Sequence, residues 1–186
     1  LVLALAGACS HAPEPSASGA PLVVVAEQGA VRGAREGDLR VFRGVPYAEP
    51  PVGARRFLPP APKEPWRGIR DATEFGPGCL QTQSPLRLDA LLPGGREVSE
   101  DCLTLNVWAH DDARERPVMV FFHGGAFLVG SSDQPLYDGA RLAKAADVVV
   151  VTVNYRLGAF GYLAADAVAD PVTGARGNQG VADQIE

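Results

Sequence analysis

The stretch PVMVFFHGGAFLVG, residues 117–130, sets His123, Gly124 and Gly125 directly behind five consecutive apolar residues. A strand that ends in two glycines and a small Ala126 presents backbone N–H groups that no side chain shields, and its turn can approach a ligand closely. Two such N–H groups aimed at one point form an oxyanion hole, which holds the charge that develops on oxygen during acyl transfer. Losing one donor from such a site costs about 3 to 4 kcal/mol. An isolated His-Gly-Gly recurs by chance, and it also reads as a tight turn with a hydrogen-bonded structural histidine. The elements around it decide between the two.

Two short β-branched runs, LVVVA (22–26) and LRVFRGV (39–45), are separated by EQGAVRGAREGD, whose glycines and acidic residues suit turns; a small antiparallel meander is expected. From Pro46 to Gly78 prolines dominate, so this segment wraps the fold in extended and turn conformations. LTLNVWA (103–109), PVMVFF (117–122) and DVVVVTVNY (147–155) read as strands, the last two as nearly continuous apolar runs buried on both faces. Between those two, YDGARLAKAA (137–146) has helix formers, with Leu142, Ala145 and Ala146 at helical spacing. Strand, glycine loop, helix, strand predicts an α/β sheet with covered faces. A glycine loop directly behind a buried strand is also the setting in which an HGG-type loop supplies half of an oxyanion hole.

With 186 residues, 46% of them hydrophobic, the chain can build one ordinary core. A formal charge of −5 with no basic run offers no electrostatic footprint for nucleic acid. No apolar run approaches the roughly 20 residues needed to span a bilayer. Residues 1–20 read as the remnant of an export signal and a Ser/Ala/Pro-rich tether, leaving 21–186 as the folded portion. The opening LVLALAGACS resembles a bacterial lipoprotein signal, in which Cys9 is lipidated and anchors the protein to a membrane; ordinary cleavage after Ala8 is the alternative. An exported chain makes Cys79 and Cys102 candidates for a disulfide, with two separate buried thiols as the other reading. Closing their 22-residue loop contributes roughly 3 kcal/mol in the chain-entropy picture. The start at Leu1 and the closing VADQIE, which reads as the first turns of a helix, suggest a piece of a longer protein.

Several longer motifs then fall in one order: FRGVPYAEPPVGARRF (42–57), FGPGCLQ (75–81), SEDCLTLNVW (99–108), PVMVFFHGGAF (117–127), VVVVTVNYRLGAFGYL (148–163) and GNQGVADQ (177–184). Together they resemble the N-terminal part of the type B carboxylesterase family, which includes the cholinesterases. The resemblance implies an α/β-hydrolase fold, of which only the N-terminal part is present: the small antiparallel meander and the first strands of the central sheet. It implies that Gly125 and Ala126 supply two oxyanion N–H groups, with His123 and Gly124 supporting the loop. It pairs Cys79 with Cys102 as the family's first disulfide, and Arg56 with Glu100 and Arg156 with Asp183 as buried ion pairs.

The same resemblance places the nucleophilic Ser, in a G-x-S-x-G turn, downstream of GNQGVADQ, with its acid and His partners later still. No G-x-S-x-G occurs in these residues, so the 186 residues alone are expected to be inactive and none of His11, His110 and His123 is the catalytic base. The implied activity is hydrolysis of a small-molecule carboxylic ester with no metal and no cofactor. The segment between Cys79 and Cys102 has no aromatic residue, whereas cholinesterases carry a Trp there, which argues against selectivity for choline esters. Some family members kept the fold as adhesion proteins, so a non-catalytic binding module is the competing expectation.

Overall fold

The computed structural model describes residues 22–81, 97–112 and 114–186. Its first strands are β1 (Leu22–Val25), β2 (Ala30–Glu36) and β3 (Leu39–Pro46), paired antiparallel in order, so the expected meander is present. Its middle strand, however, lies where the sequence suggested only turns. Gly33 in β2 is a packing glycine: a Cβ there would lie 2.5 Å from the Val41 carbonyl oxygen and 2.6 Å from the Phe42 ring. A glycine needed for close approach looks in sequence like a glycine needed for a turn.

β3 continues into β7 (Thr104–His110) in an antiparallel pair whose register shifts between Phe42 and Val45. Gly44 occupies that irregularity at φ +67°, with Glu74 and Gly76 backbone atoms 2.8 Å from where a Cβ would stand. β9 (Val149–Val153) pairs antiparallel with β7, and β8 (Val118–Phe122) runs parallel to β9 at the sheet edge. The strand order is β1-β2-β3-β7-β9-β8, with β4 (Ile69–Asp71) added in parallel on β2. A separate parallel pair, β5 (Gly78–Cys79) and β6 (Val98–Ser99), flanks the bond between Cys79 and Cys102, which are joined as a disulfide.

The crossover from β8 to β9 carries α1 (Ala140–Ala146). Its buried residue is Ala143, packed with Leu39, Val41, Trp108 and Val150. The expected stripe of Leu142, Ala145 and Ala146 is exposed instead. The small face of α1 wins because the helix must sit close over Trp108: even Gly139 before it has no room for a Cβ, the indole lying 2.6 Å away. Two short helices follow β9, α2 (Gly158–Tyr162) and α3 (Gln179–Ile185), the latter as expected from VADQIE.

One burial expectation is corrected. All five residues of β8 are exposed, from 37% at Phe121 and Phe122 to 61% at Val118. Among the described residues β8 pairs with β9 alone, and beyond that pairing Phe121 meets the Tyr137 ring and Phe122 the edge of Tyr155. β9, in the sheet interior, does bury Val150, Thr152 and Val153.

Candidate active-site loop

β8 delivers the chain to residues 123–130, and a ring stack and a hydrogen bond from one tyrosine hold the start of this loop. The Tyr155 ring, just past β9, stacks on the His123 ring with centroids 4.5 Å apart, and its hydroxyl donates to the His123 carbonyl oxygen at 2.7 Å. Burial raises the Tyr155 pKa, which keeps that hydroxyl a donor. His123 is 3% exposed, and its Nδ1 lies 2.9 Å from the Gly124 carbonyl oxygen. A carbonyl oxygen only accepts, so Nδ1 carries the proton. Burial lowers the His123 pKa, against the opposing pull of that hydrogen bond and of the Asp133 charge, so the ring is neutral at pH 7.

These bonds set the direction of the next two amides, those of Gly125 and Ala126. In a trans peptide the C=O and the following N–H point opposite ways, and no cis bond occurs among the described residues. Holding the Gly124 C=O against the His123 ring therefore turns the Gly125 N–H away from it. The next peptide is held the same way: the Gly125 C=O accepts from the Leu128 N–H at 3.0 Å and the Val129 N–H at 3.2 Å, which sets the Ala126 N–H. Among the described residues neither the Gly125 nor the Ala126 N–H donates to any protein group.

The backbone that achieves this is strained. Ala126 and Phe127 lie in the left-handed region at φ +54° and +62°, beside Gly125 at +125°. Each non-glycine residue there costs about 1 to 2 kcal/mol. The strain is braced where Phe127 accepts the Gly158 N–H at 2.7 Å and sets its ring 5.0 Å from that of Tyr162. The two glycines of the HGG motif differ: at Gly125 a Cβ would overlap the Val129 carbonyl oxygen and lie 2.7 Å from its carbon, whereas at Gly124 it would meet nothing within 4 Å.

Beyond Gly130 the chain is tied into the sheet by buried polar groups. Asn106 on β7 donates to Ser132 Oγ at 3.0 Å and to Thr152 Oγ1 at 2.9 Å, and its Oδ1 accepts the Gly44 N–H. Asn154 accepts the Ser132 N–H at 2.8 Å and donates to the Pro77 carbonyl oxygen at 3.1 Å. Pairing every such group is what makes a buried polar network rigid. Asn106, Asn154, Tyr155 and Gln81 all fall within the motifs quoted above, but the sequence assigned none of them a role.

Arg156 and Asp183, 2% and 0% exposed at their side chains, form the buried pair expected of them. Nε and Nη2 of Arg156 bind the two carboxylate oxygens at 2.8 and 2.6 Å, and Nη1 donates to the Arg56 and Leu58 carbonyl oxygens. This pins α3 and the proline-rich segment to the end of β9. Arg56 and Glu100 also pair, at 2.6 and 2.8 Å, but the expectation of burial is corrected, with side chains 42% and 21% exposed. Arg56 turns its carbonyl inward to Arg156 and leaves its side chain on the outer surface. His110, read as part of a polar turn, closes β7, with Nε2 3.1 Å from the Ala143 carbonyl oxygen. Cys9 and His11 lie outside the described residues.

The match to known proteins is decisive on kinship: residues 20–186 fit the carboxylesterase family. The chain belongs to the carboxylesterase family. It is 47% identical over 143 residues to the para-nitrobenzyl esterase of Bacillus subtilis (strain 168), covering 76% of this chain and 29% of that protein. It is 43% identical over 167 residues to the fumonisin B1 esterase of Sphingopyxis macrogoltabida (88% and 30%), and 42% identical over 179 residues to the acetylcholinesterase of Danio rerio (88% and 27%). Among solved structures, a thermophilic PNB esterase superposes with a TM-score of 0.78 at 42% identity, covering 87% of this chain and 33% of that one. The Geobacillus stearothermophilus carboxylesterase gives 0.75 at 44% identity, with 88% and 32% covered. The fold is therefore that of the α/β hydrolases, and this carboxylesterase-family chain spans under a third of the length of the curated relatives it matches.

Proposed function

We propose that the whole protein hydrolyses small-molecule carboxylic esters, with the Gly125 and Ala126 N–H groups receiving the oxyanion of the tetrahedral intermediate. The carrying observation is that two successive peptides, each held by its own carbonyl, leave their N–H groups without a protein partner on a strained backbone. Strain of this kind gathers where a preorganised site is kept. A serine outside these residues attacks the ester carbonyl, a histidine oriented by a carboxylate takes its proton, and one further N–H beside the serine completes the anion site. As the negative charge grows on the carbonyl oxygen, N–H groups already aimed at it need no reorganisation. His123 acts as a neutral support, not as the base.

That all three named relatives are esterases supports this reading over the non-catalytic module, which no observation favours. Export, with Cys9 lipidated or the signal cleaved after Ala8, belongs to the same proposal. The test is turnover of p-nitrophenyl acetate and butyrate by the full-length protein, together with stoichiometric inactivation by an organophosphonate. Full-length, folded protein that neither turns over short esters nor is inactivated overturns the proposal.

A further inference from the structure

Gln81 stands two residues past Cys79, on the segment that enters the disulfide loop and off the sheet that carries the candidate site. Its side-chain amide meets the main chain of Gly130 from both sides. Nε2 donates to the Gly130 carbonyl oxygen at 2.9 Å, and Oε1 accepts the Gly130 N–H at 2.8 Å. The second Nε2 hydrogen goes to the Cys79 carbonyl oxygen at 3.1 Å, which fixes the amide to the base of the disulfide. A primary amide offers a donor and an acceptor side by side at any pH, which a carboxyl group does only when protonated.

What Gly130 touches gives the contact its meaning. It has φ +122°, and a Cβ on it would overlap His123 Nδ1 and lie 2.5 Å from the Gly124 carbonyl oxygen. The Gly130 backbone is thus the wall against which the His123–Gly124 hydrogen bond is pressed, and that bond directs the Gly125 N–H. We infer that Gln81 is a positioning residue for the reaction: by clamping Gly130 from the disulfide segment, it holds the His123–Gly124 contact closed and keeps the Gly125 amide aimed at the oxyanion. The inference rests on the anion-stabilising reading of the loop.

A positioning role is separable from a purely structural one by what the amide's chemistry predicts. Gln81→Met keeps the length and removes all three hydrogen bonds. It is expected to lower kcat roughly ten- to a hundredfold with little change in KM, since a donor misplaced by about 1 Å loses on that scale. Affinity for a trifluoromethyl ketone, whose adduct carries an oxyanion, falls in parallel, while affinity for the corresponding methyl ketone holds. Gln81→Glu sets a carboxylate against two carbonyl oxygens, but once protonated its carboxylic acid again offers donor and acceptor together. Its activity relative to Gln81→Met is therefore expected to climb as the pH is lowered from about 8 to about 5.

Both variants are measured in the full-length protein, with circular dichroism confirming the fold. Trifluoromethyl ketone affinity within twofold of the parent in Gln81→Met, or a Glu-to-Met activity ratio flat with pH, overturns the inference. Gly125→Ala separates the two levels. If Gly125→Ala weakens the ketone while Gln81→Met does not, only the role of Gln81 falls. If Gly125→Ala leaves the ketone affinity unchanged, the anion site itself falls, and the role of Gln81 with it.

Discussion

Gly125→Ala is the sharpest single perturbation of this loop. The added methyl would overlap the Val129 carbonyl oxygen, the atom that follows directly on the amide bonding the Gly125 C=O, so the two ends of the turn are forced apart. Relief requires a backbone shift of at least about 1 Å, which carries an N–H out of hydrogen-bonding range of an oxyanion and is worth roughly a hundredfold in rate. Loss of one oxyanion donor gives the same order, about 10² to 10³ in kcat, or some 2.7 to 4 kcal/mol. Gly124→Ala is the matched comparison and is expected to cost clearly less, because a methyl there meets nothing within 4 Å among the described residues. Steady-state hydrolysis of p-nitrophenyl acetate by full-length variants, with thermal melts to confirm folding, measures the difference. A folded Gly125→Ala enzyme within about threefold of the parent kcat would refute the reasoning, since no donor lost from a working site costs so little.

The remaining expectations follow from burial and charge. Asp183→Asn leaves the Arg156 guanidinium buried without its counter-charge and is expected to cost about 3 to 5 kcal/mol in urea denaturation; a loss under about 1 kcal/mol, the scale of a surface pair, contradicts the burial. Arg56→Met, on the exposed pair, is expected to cost clearly less than Asp183→Asn in the same assay. Burial holds the folded-state pKa of His123 below its ordinary 6.5, so the unfolded chain binds the proton first as pH falls. The stability tied to a neutral His123 is accordingly full above about pH 6.5 and is lost as pH drops toward the folded-state pKa. His123→Asn, whose amide N–H replaces Nδ1–H, should flatten that dependence in thermal melts, and an unchanged slope counts against it. Peptide mapping of exported, unreduced protein should recover Cys79 and Cys102 linked, and two free thiols would overturn the bridge.

Much of this was legible in the residues because it depended on local chemistry. The glycine pair behind an apolar strand, the α/β alternation and the helix over 181–186 all follow from spacing and composition, and the family motifs carried both ion pairs. What escaped depended on partners distant in the chain. Gly33 read as a turn because its role is to admit the Phe42 ring, a cross-strand contact with no local mark. The inner face of α1 went to Ala143 because Trp108 demanded the smallest side chain, against the larger apolar stripe. Apolarity alone marked β8 as buried, whereas burial depends on which elements lie beside it, and β9 is the one strand paired with it among the described residues. Gln81 reaches Gly130 across 49 positions, and although it closes the FGPGCLQ motif, no local pattern tells which main-chain group it meets.

The central claim is that the Gly125 and Ala126 amides converge on one oxygen. A crystal structure of the full-length protein carrying a trifluoromethyl ketone adduct tests it most directly. The adduct oxygen is expected within about 2.7 to 3.1 Å of both nitrogens. An adduct oxygen bound elsewhere, or either amide bonded to the protein's own backbone, would contradict it.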